Sequence, residues 1–206
     1  MKKLSYVLLL IFFHTHTFAQ SPDVGQIALP FDENKQCYHY SIIDTVKTPI
    51  SDSLIYNRIK LYLSEKYNNG NFPIDIPCKE IKLTGKTTAS IENHIGKKTI
   101  TTPVSILYDI DIKFKGNRYR IYIDMFRSAQ NLYGFGQELL LNQYFKHNIE
   151  MIDIAMTGSM GIGKKKAIEE VKKSNSKISQ KIKQELDTLV AELKKNAEQG
   201  ISTDEW

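Results

Sequence analysis

Three groups of residues have types and spacings that could do chemistry. The first is Gly158-Ser159-Met160-Gly161-Ile162-Gly163-Lys164, which has the G-x-x-x-x-G-K spacing of a phosphate cradle. In such a loop glycine backbone N–H groups surround phosphate, a lysine reaches it, and a following Ser or Thr holds magnesium. Here Lys165 stands at the magnesium position, and the chain from Gly163 to Trp206 has no room for the parallel sheet such a loop serves. The segment therefore reads as a Gly/Ser turn into a basic helix, and no nucleotide is expected. The second group is Asp109, Asp111 and Asp124, carboxylates that could hold a hard cation or share a proton as an acid–base pair. Arg118 and Arg120 lie close enough in sequence to neutralise them. The third is His39, His94 and His147, which are scattered and form no nucleophile motif such as G-x-S-x-G. Neither C-x-x-C nor H-x-x-H spacing occurs, so no metal or other cofactor is expected, and no catalytic residue is assigned.

The elements that would position these groups begin after an export signal. In "MKKLSYVLLLIFFHTHTFAQ" a basic start precedes an apolar run too short to span a bilayer, and Thr17-Phe18-Ala19 has the small-x-small pattern of a cleavage site. Cleavage is expected between Ala19 and Gln20. Residues 1–19 are then the signal, and the mature chain carries no transmembrane segment. It is exported, to the periplasm or the extracellular space. The formal charge of +5, two units of which belong to Lys2 and Lys3, is too mild to imply nucleic acid. Cys37 and Cys78 admit two readings in an oxidising compartment: a disulfide, or two small buried hydrophobes.

Residues 20–36 read as an extended polar leader. "CYHYSIIDTV" alternates as a half-buried strand, with Tyr38, Tyr40 and Ile42 on one side and His39, Ser41 and Ile43 on the other. Ser51 or Asp52 caps a helix through "SLIYNRIKLYLSEKY", which Asn68-Asn69-Gly70 ends. "KEIKLTGKTTASIE" alternates across a gap at Gly85, and "TTPVSILYDIDIKF" alternates without a break. Gly116-Asn117 suits a two-residue hairpin turn. That turn pairs Phe114 with Tyr119, Ile112 with Ile121, Ile110 with Ile123, and Asp109 with Asp124, so apolar meets apolar on every core rung. Residues 128–175 read as irregular, with a short-helix pattern in "QELLLNQYFKHNIE" and a strand or buried extended piece in "MIDIAM". The tail, residues 176–199, is an amphipathic helix with Ile178, Ile182, Leu186, Leu189 and Leu193 on one stripe. Ile168 and Val171 continue that spacing, and Ser174-Asn175-Ser176 interrupts it.

This order of strand, helix, three antiparallel strands and a long final helix resembles the exported family known as domain of unknown function 4468. The likeness rests on "SLIYNRIKLYLSEKY", "KLTGKTTASI", "SILYDIDIKFKGNRYRIYIDMF" and "KISQKIKQELDTLVAELKK". It covers residues 37–127 and 176–197. It implies an α+β fold like that of the TATA-binding protein: one antiparallel sheet of four or five strands with two main helices on one face. It brings no activity, and a fold name alone does not imply DNA binding.

With one face under the helices, the other carries Asp109, Asp111, Arg118, Arg120, Tyr122 and Asp124, with Phe126 beyond them. It reads either as a solvated face with cross-strand pairing or as a docking surface for an envelope protein or glycan. The expected function is a non-enzymatic binding module of the cell envelope. The alternatives are an accessory subunit docking through its C-terminal helix and, third, a hydrolase.

Overall fold

The computed structural model describes residues 23–47, 50–67, 72, 74–95, 98–128, 138–157 and 162–199, without the side chains of 91–95, 98–100, 102 and 162. The signal and its cleavage site, and Gly158 to Gly161 of the Gly-rich turn, lie outside the described residues.

Strands β1 (Phe31–Asp32) and β2 (Cys37–Tyr38) form a small hairpin. Strand β3 (Tyr40–Thr45) and helix α1 (Asp52–Lys66) follow. Then come β4 (Ile74–Ile76), β5 (Glu80–Ile95), β6 (Lys98–Lys115) and β7 (Arg118–Ser128). Strand β8 (Leu139–Leu140) leads into α2 (Leu141–Ala155), and α3 (Ile162–Gln199) closes the described chain. The main sheet is antiparallel in the order β3-β7-β6-β5-β4, with β8 added to the far end of β7.

The hairpin register has Phe114 opposite Tyr119, Ile112 opposite Ile121 and Ile110 opposite Ile123, with Asp109 opposite Asp124. All six apolar residues are buried. Helix α1 starts where Ser51 accepts a hydrogen bond from the Leu54 N–H, with Asp52 in the first turn and Lys66 in the last, the charge order that the helix dipole favours. It buries Ile55, Tyr56, Ile59 and Leu63. In α3 the stripe Ile178, Ile182, Leu186, Leu189, Val190 and Leu193 is buried in the same core.

The structure corrects the expected fold in three respects. The sheet has six strands rather than four or five, because β4 and β8 add short edges, and the β1–β2 hairpin forms a second, two-stranded sheet. The helices number three: "MIDIAM" continues α2 instead of forming a strand. Its periodicity shows why, since Leu141, Tyr144, Phe145 and Ile149 return every three or four residues to the core, while Ile154 is left 65% exposed. Strand β5 runs unbroken through Gly85, whose missing side chain is filled by the Tyr108 ring.

Helix α3 also passes through Ser174-Asn175-Ser176 without a break. Asn175 and Ser179 are wholly buried and hold the leader: Asn175 Nδ2 donates to the Val24 carbonyl at 3.1 Å, and the Ala28 N–H donates to Ser179 Oγ at 3.0 Å. Gly25, at φ +97°, sits so close to α3 that a Cβ would lie 2.6 Å from the Lys172 carbonyl oxygen. The leader is thus docked along the helix and turns into the β1–β2 hairpin.

Cys37 and Cys78 are both free thiols, Cys37 buried and Cys78 half-buried. The disulfide reading fails on geometry. Cys37 lies beside the Met125 backbone, next to the Asp109–Asp124 rung, whereas Cys78 precedes Lys79, whose carbonyl accepts from Phe114 N–H. Five strand residues separate those rungs, about 17 Å at the usual rise, far beyond the reach of a disulfide.

Candidate functional site

The outer face of the sheet, away from α1 and α3, is built from alternate residues of four strands, and the register lays them out in rungs. Nearest the β6–β7 turn, Thr45, Arg118 and Lys115 stand side by side. The next rung holds Ile43, Arg120, Lys113 and Glu80. The third holds Ser41, Tyr122, Asp111 and Lys82, and the fourth Asp124, Asp109 and Thr84. The six expected surface residues therefore share one face. It is polarised, with cations toward the turn and carboxylates away from it.

Like charges directly across a strand pair repel, so the partners of each group decide what the face can do. Asp109 and Asp124 are opposite one another, yet each has its own cation. Arg127 Nη2 donates to Asp109 Oδ1 at 2.7 Å, and Lys35 Nζ donates to Asp124 Oδ2 at 2.8 Å. Thr84 Oγ1 also donates to Asp109, at 3.2 Å. The pair is thereby divided between two separate ion pairs and is not arranged as a shared-proton dyad. Glu80, Lys82, Asp111 and Lys113 form a square of alternating charge, with Lys113 3.2 Å and Lys82 3.3 Å from Glu80. Both lysines stand farther from Asp111, at 3.8 and 3.9 Å. Burial pushes the Asp111 carboxyl above its ordinary range despite those lysines, and its Oδ1 makes no hydrogen bond among the described residues. Burial acts the same way on Glu80, but there the close ammonium groups of Lys113 and Lys82 prevail and hold it below its ordinary range. Among the described residues no three His, Cys, Asp or Glu gather as metal ligands.

The cationic end is different. Arg118 and Arg120 are exposed and form no ion pair among the described residues. Beside them Ile43, 71% exposed, is the most exposed large apolar side chain among the described residues. Ile43 was legible only as the polar-side member of an alternating strand, and nothing local marked it as part of a surface.

The aromatic part of the expected surface is corrected. Phe126 is buried against Tyr108, with ring centroids 5.8 Å apart. The cause is a β-bulge: the β6–β7 register shifts between Leu107 and Asp109, and Met125 takes φ 52°. One extra residue on β7 flips every later side chain to the opposite face. Tyr122 stays on the outer face, but the β1–β2 hairpin folds over it. Lys35 Nζ lies 4.4 Å from the ring centroid, and the His39 ring stacks at 5.8 Å and 17°.

The other sequence candidates do not converge on this face. His147 is on α2, and the side chain of His94 lies outside the described residues. Lys164, the lysine of the Gly-rich turn, is in the first turn of α3 and pairs with Asp153 of α2 at 2.6 Å. A shallow groove of about 450 Å³ between leader and α3 is lined by Asp23, Gly25, Glu169, Lys172 and Lys173. Two of its lysines are already bound, Lys172 by Asp23 and Glu169, and Lys173 by Glu170. No described helix is long and apolar enough to cross a membrane.

No protein-family model and no curated protein matches the sequence. Two solved structures are similar to it. One is a DUF4468 family protein from Bacteroides ovatus ATCC 8483, at 11% identity and a TM-score of 0.48, covering 84% of this chain and 95% of that one. The other is a TBP-like protein from Parabacteroides distasonis ATCC 8503, at 14% identity and a TM-score of 0.47, covering 82% of this chain and 96% of that one. The first of them belongs to the family that the sequence itself resembles, domain of unknown function 4468.

Proposed function

We propose that this chain is a non-enzymatic binding module of the cell envelope, exported by its N-terminal signal, which takes an anionic protein or glycan on the cationic end of its outer sheet face. The observation that carries the reading is the pair Arg118 and Arg120, exposed, without carboxylate partners and set beside exposed Ile43. Elsewhere on the face most charges answer one another across or along the strands. Arg118 stands opposite Lys115 and Arg120 opposite Lys113; like charges so opposed cost stability, and an anionic ligand would remove that cost. Electrostatics of this kind favours encounter and orientation more than raw affinity.

The reading in which α3 docks a partner through its apolar stripe loses its support, because that stripe is spent on the chain's own core. Recovery of binding partners from envelope extract tests the surface. Arg118→Glu with Arg120→Glu should abolish it, and Lys181→Glu, on the exposed side of α3, should not. Equal recovery by all three proteins would sink the proposal.

A further inference from the structure

We propose that the free edge of β3 accepts an extended acidic peptide as an additional strand of the sheet. This rests on the binding surface proposed above and names the class of its partner.

Strand β3 is the outermost strand beside β7. The Val46 N–H donates to the Asn117 carbonyl at 2.9 Å, which fixes the parity of the pair. Tyr40, Ile42, Asp44 and Val46 direct their backbone groups at β7, and Ser41, Ile43 and Thr45 direct theirs outward. Both ends of the edge are closed. The His39 N–H donates to the Pro30 carbonyl at 2.9 Å, and the Thr45 N–H is taken by Asp44 Oδ1 at 2.9 Å. Between them the N–H and C=O of Ser41 and Ile43, and the carbonyl of Thr45, have no partner among the described residues. The opening suits a strand of three to five residues.

Exposed edges are ordinarily blunted by lysine, proline or a bulge. Among the described residues β5 beyond its pairing with β4 is also an open edge, and it carries exposed Lys86. The β3 row is Ser41, Ile43 and Thr45, without charge or proline, and all three are exposed. Behind it stand Arg120, opposite Ile43, and Arg118, opposite Thr45. An added strand would lie about 10 Å from β7, two strand spacings, a gap that an arginine and a glutamate close from opposite sides. Backbone pairing supplies attachment, and the outward side chains supply choice. The residue over Ile43 should be apolar and its i±2 neighbours acidic. A second copy of this chain fits poorly. Symmetric pairing centred on Ile43 would leave an Arg120 at both ends of one rung, Arg120–Ile43–Ile43–Arg120, with no carboxylate between them.

The test titrates the full-length protein with acetyl-Thr-Glu-Thr-Val-Thr-Glu-Thr-amide and follows backbone amides by NMR. Saturable binding is expected, with hydrogen exchange slowed at Ser41 and Ile43. Ile43→Pro should abolish it, since that N–H faces outward and its loss spares the β7 ladder. Ile43→Glu keeps the N–H but sets a carboxylate between the peptide's two glutamates, and should weaken binding about tenfold, as should Arg118→Glu with Arg120→Glu. Absence of saturation at millimolar peptide, binding indifferent to both Ile43 variants, or a dimer through β3 in sedimentation would each overturn the inference. If envelope recovery needs the arginines while the peptide fails, strand addition is wrong and the surface stands. If the arginine variants change neither, both are wrong.

Discussion

Replacing Gly85 by alanine tests how tightly the sheet is packed at its centre. A Cβ on Gly85 would lie 2.3 Å from Tyr108 Cε2 and 2.7 Å from Cζ, inside any tolerable contact. The ring has little freedom to retreat. It is buried, packs on Phe126, and its hydroxyl is 3.3 Å from that of Tyr67. Overpacking of this kind costs about 1–3 kcal/mol. Alanine recovers about 0.4–1 kcal/mol by restricting the unfolded chain. The net expectation is a loss of about 1–2 kcal/mol, seen in urea unfolding as a lower midpoint with an unchanged slope. For a chain of this size the same loss lowers Tm by roughly 2–4 °C per kcal/mol. The clash should vanish when the ring is removed, so Gly85→Ala should cost almost nothing in a Tyr108→Ala background. A Gly85→Ala protein as stable as wild type, or an equal cost in both backgrounds, would refute the packing argument.

Two further outcomes concern buried polar groups. Asn175→Ala should destabilise by about 1–2 kcal/mol, because it strands the Val24 carbonyl. Limited proteolysis should then cut the leader before the sheet, and unchanged protection of residues 23–30 would contradict the clasp. Asp111→Asn should raise stability near pH 7. A carboxyl whose folded pKa lies above its ordinary 3.8 costs stability when ionised, and that cost disappears as pH falls through the folded value toward the unfolded one. The gain over wild type, read from urea midpoints across this range, should shrink with acidification. A variant that is less stable at neutral pH would show that Lys82 and Lys113 outweigh burial.

What could be read from the sequence divides along physical lines. The β6–β7 register was legible because a two-residue turn and an apolar partner on every rung leave one consistent pairing. The α3 stripe was legible because its spacing is helical over many turns. The bulge at Met125 was not, since nothing local compels a methionine into φ 52°, and that one residue moved Phe126 from surface to core. The α2 boundary was missed because the apolar run at its end looks like a strand, although Ile154 is exposed. The charges of the outer face followed from alternation. Which of them are answered did not, because Lys35 arrives from the β1–β2 turn and Arg127 is brought to that face only by the bulge.

The clasp between leader and α3 also bears on the order of folding. Its two hydrogen bonds each join residues 151 positions apart, nearly the widest separation available among the described residues. Asn175 gains its 3.1 Å hydrogen bond to Val24, and Ser179 the one from Ala28, only when residues 24–28 meet α3. α3 also supplies much of the apolar cover of the sheet. A chain emerging from its N-terminus therefore holds a sheet without its cover and a leader without its seat until α3 arrives. Contacts this distant in sequence favour slow, late closure, and completion of the fold waits on α3.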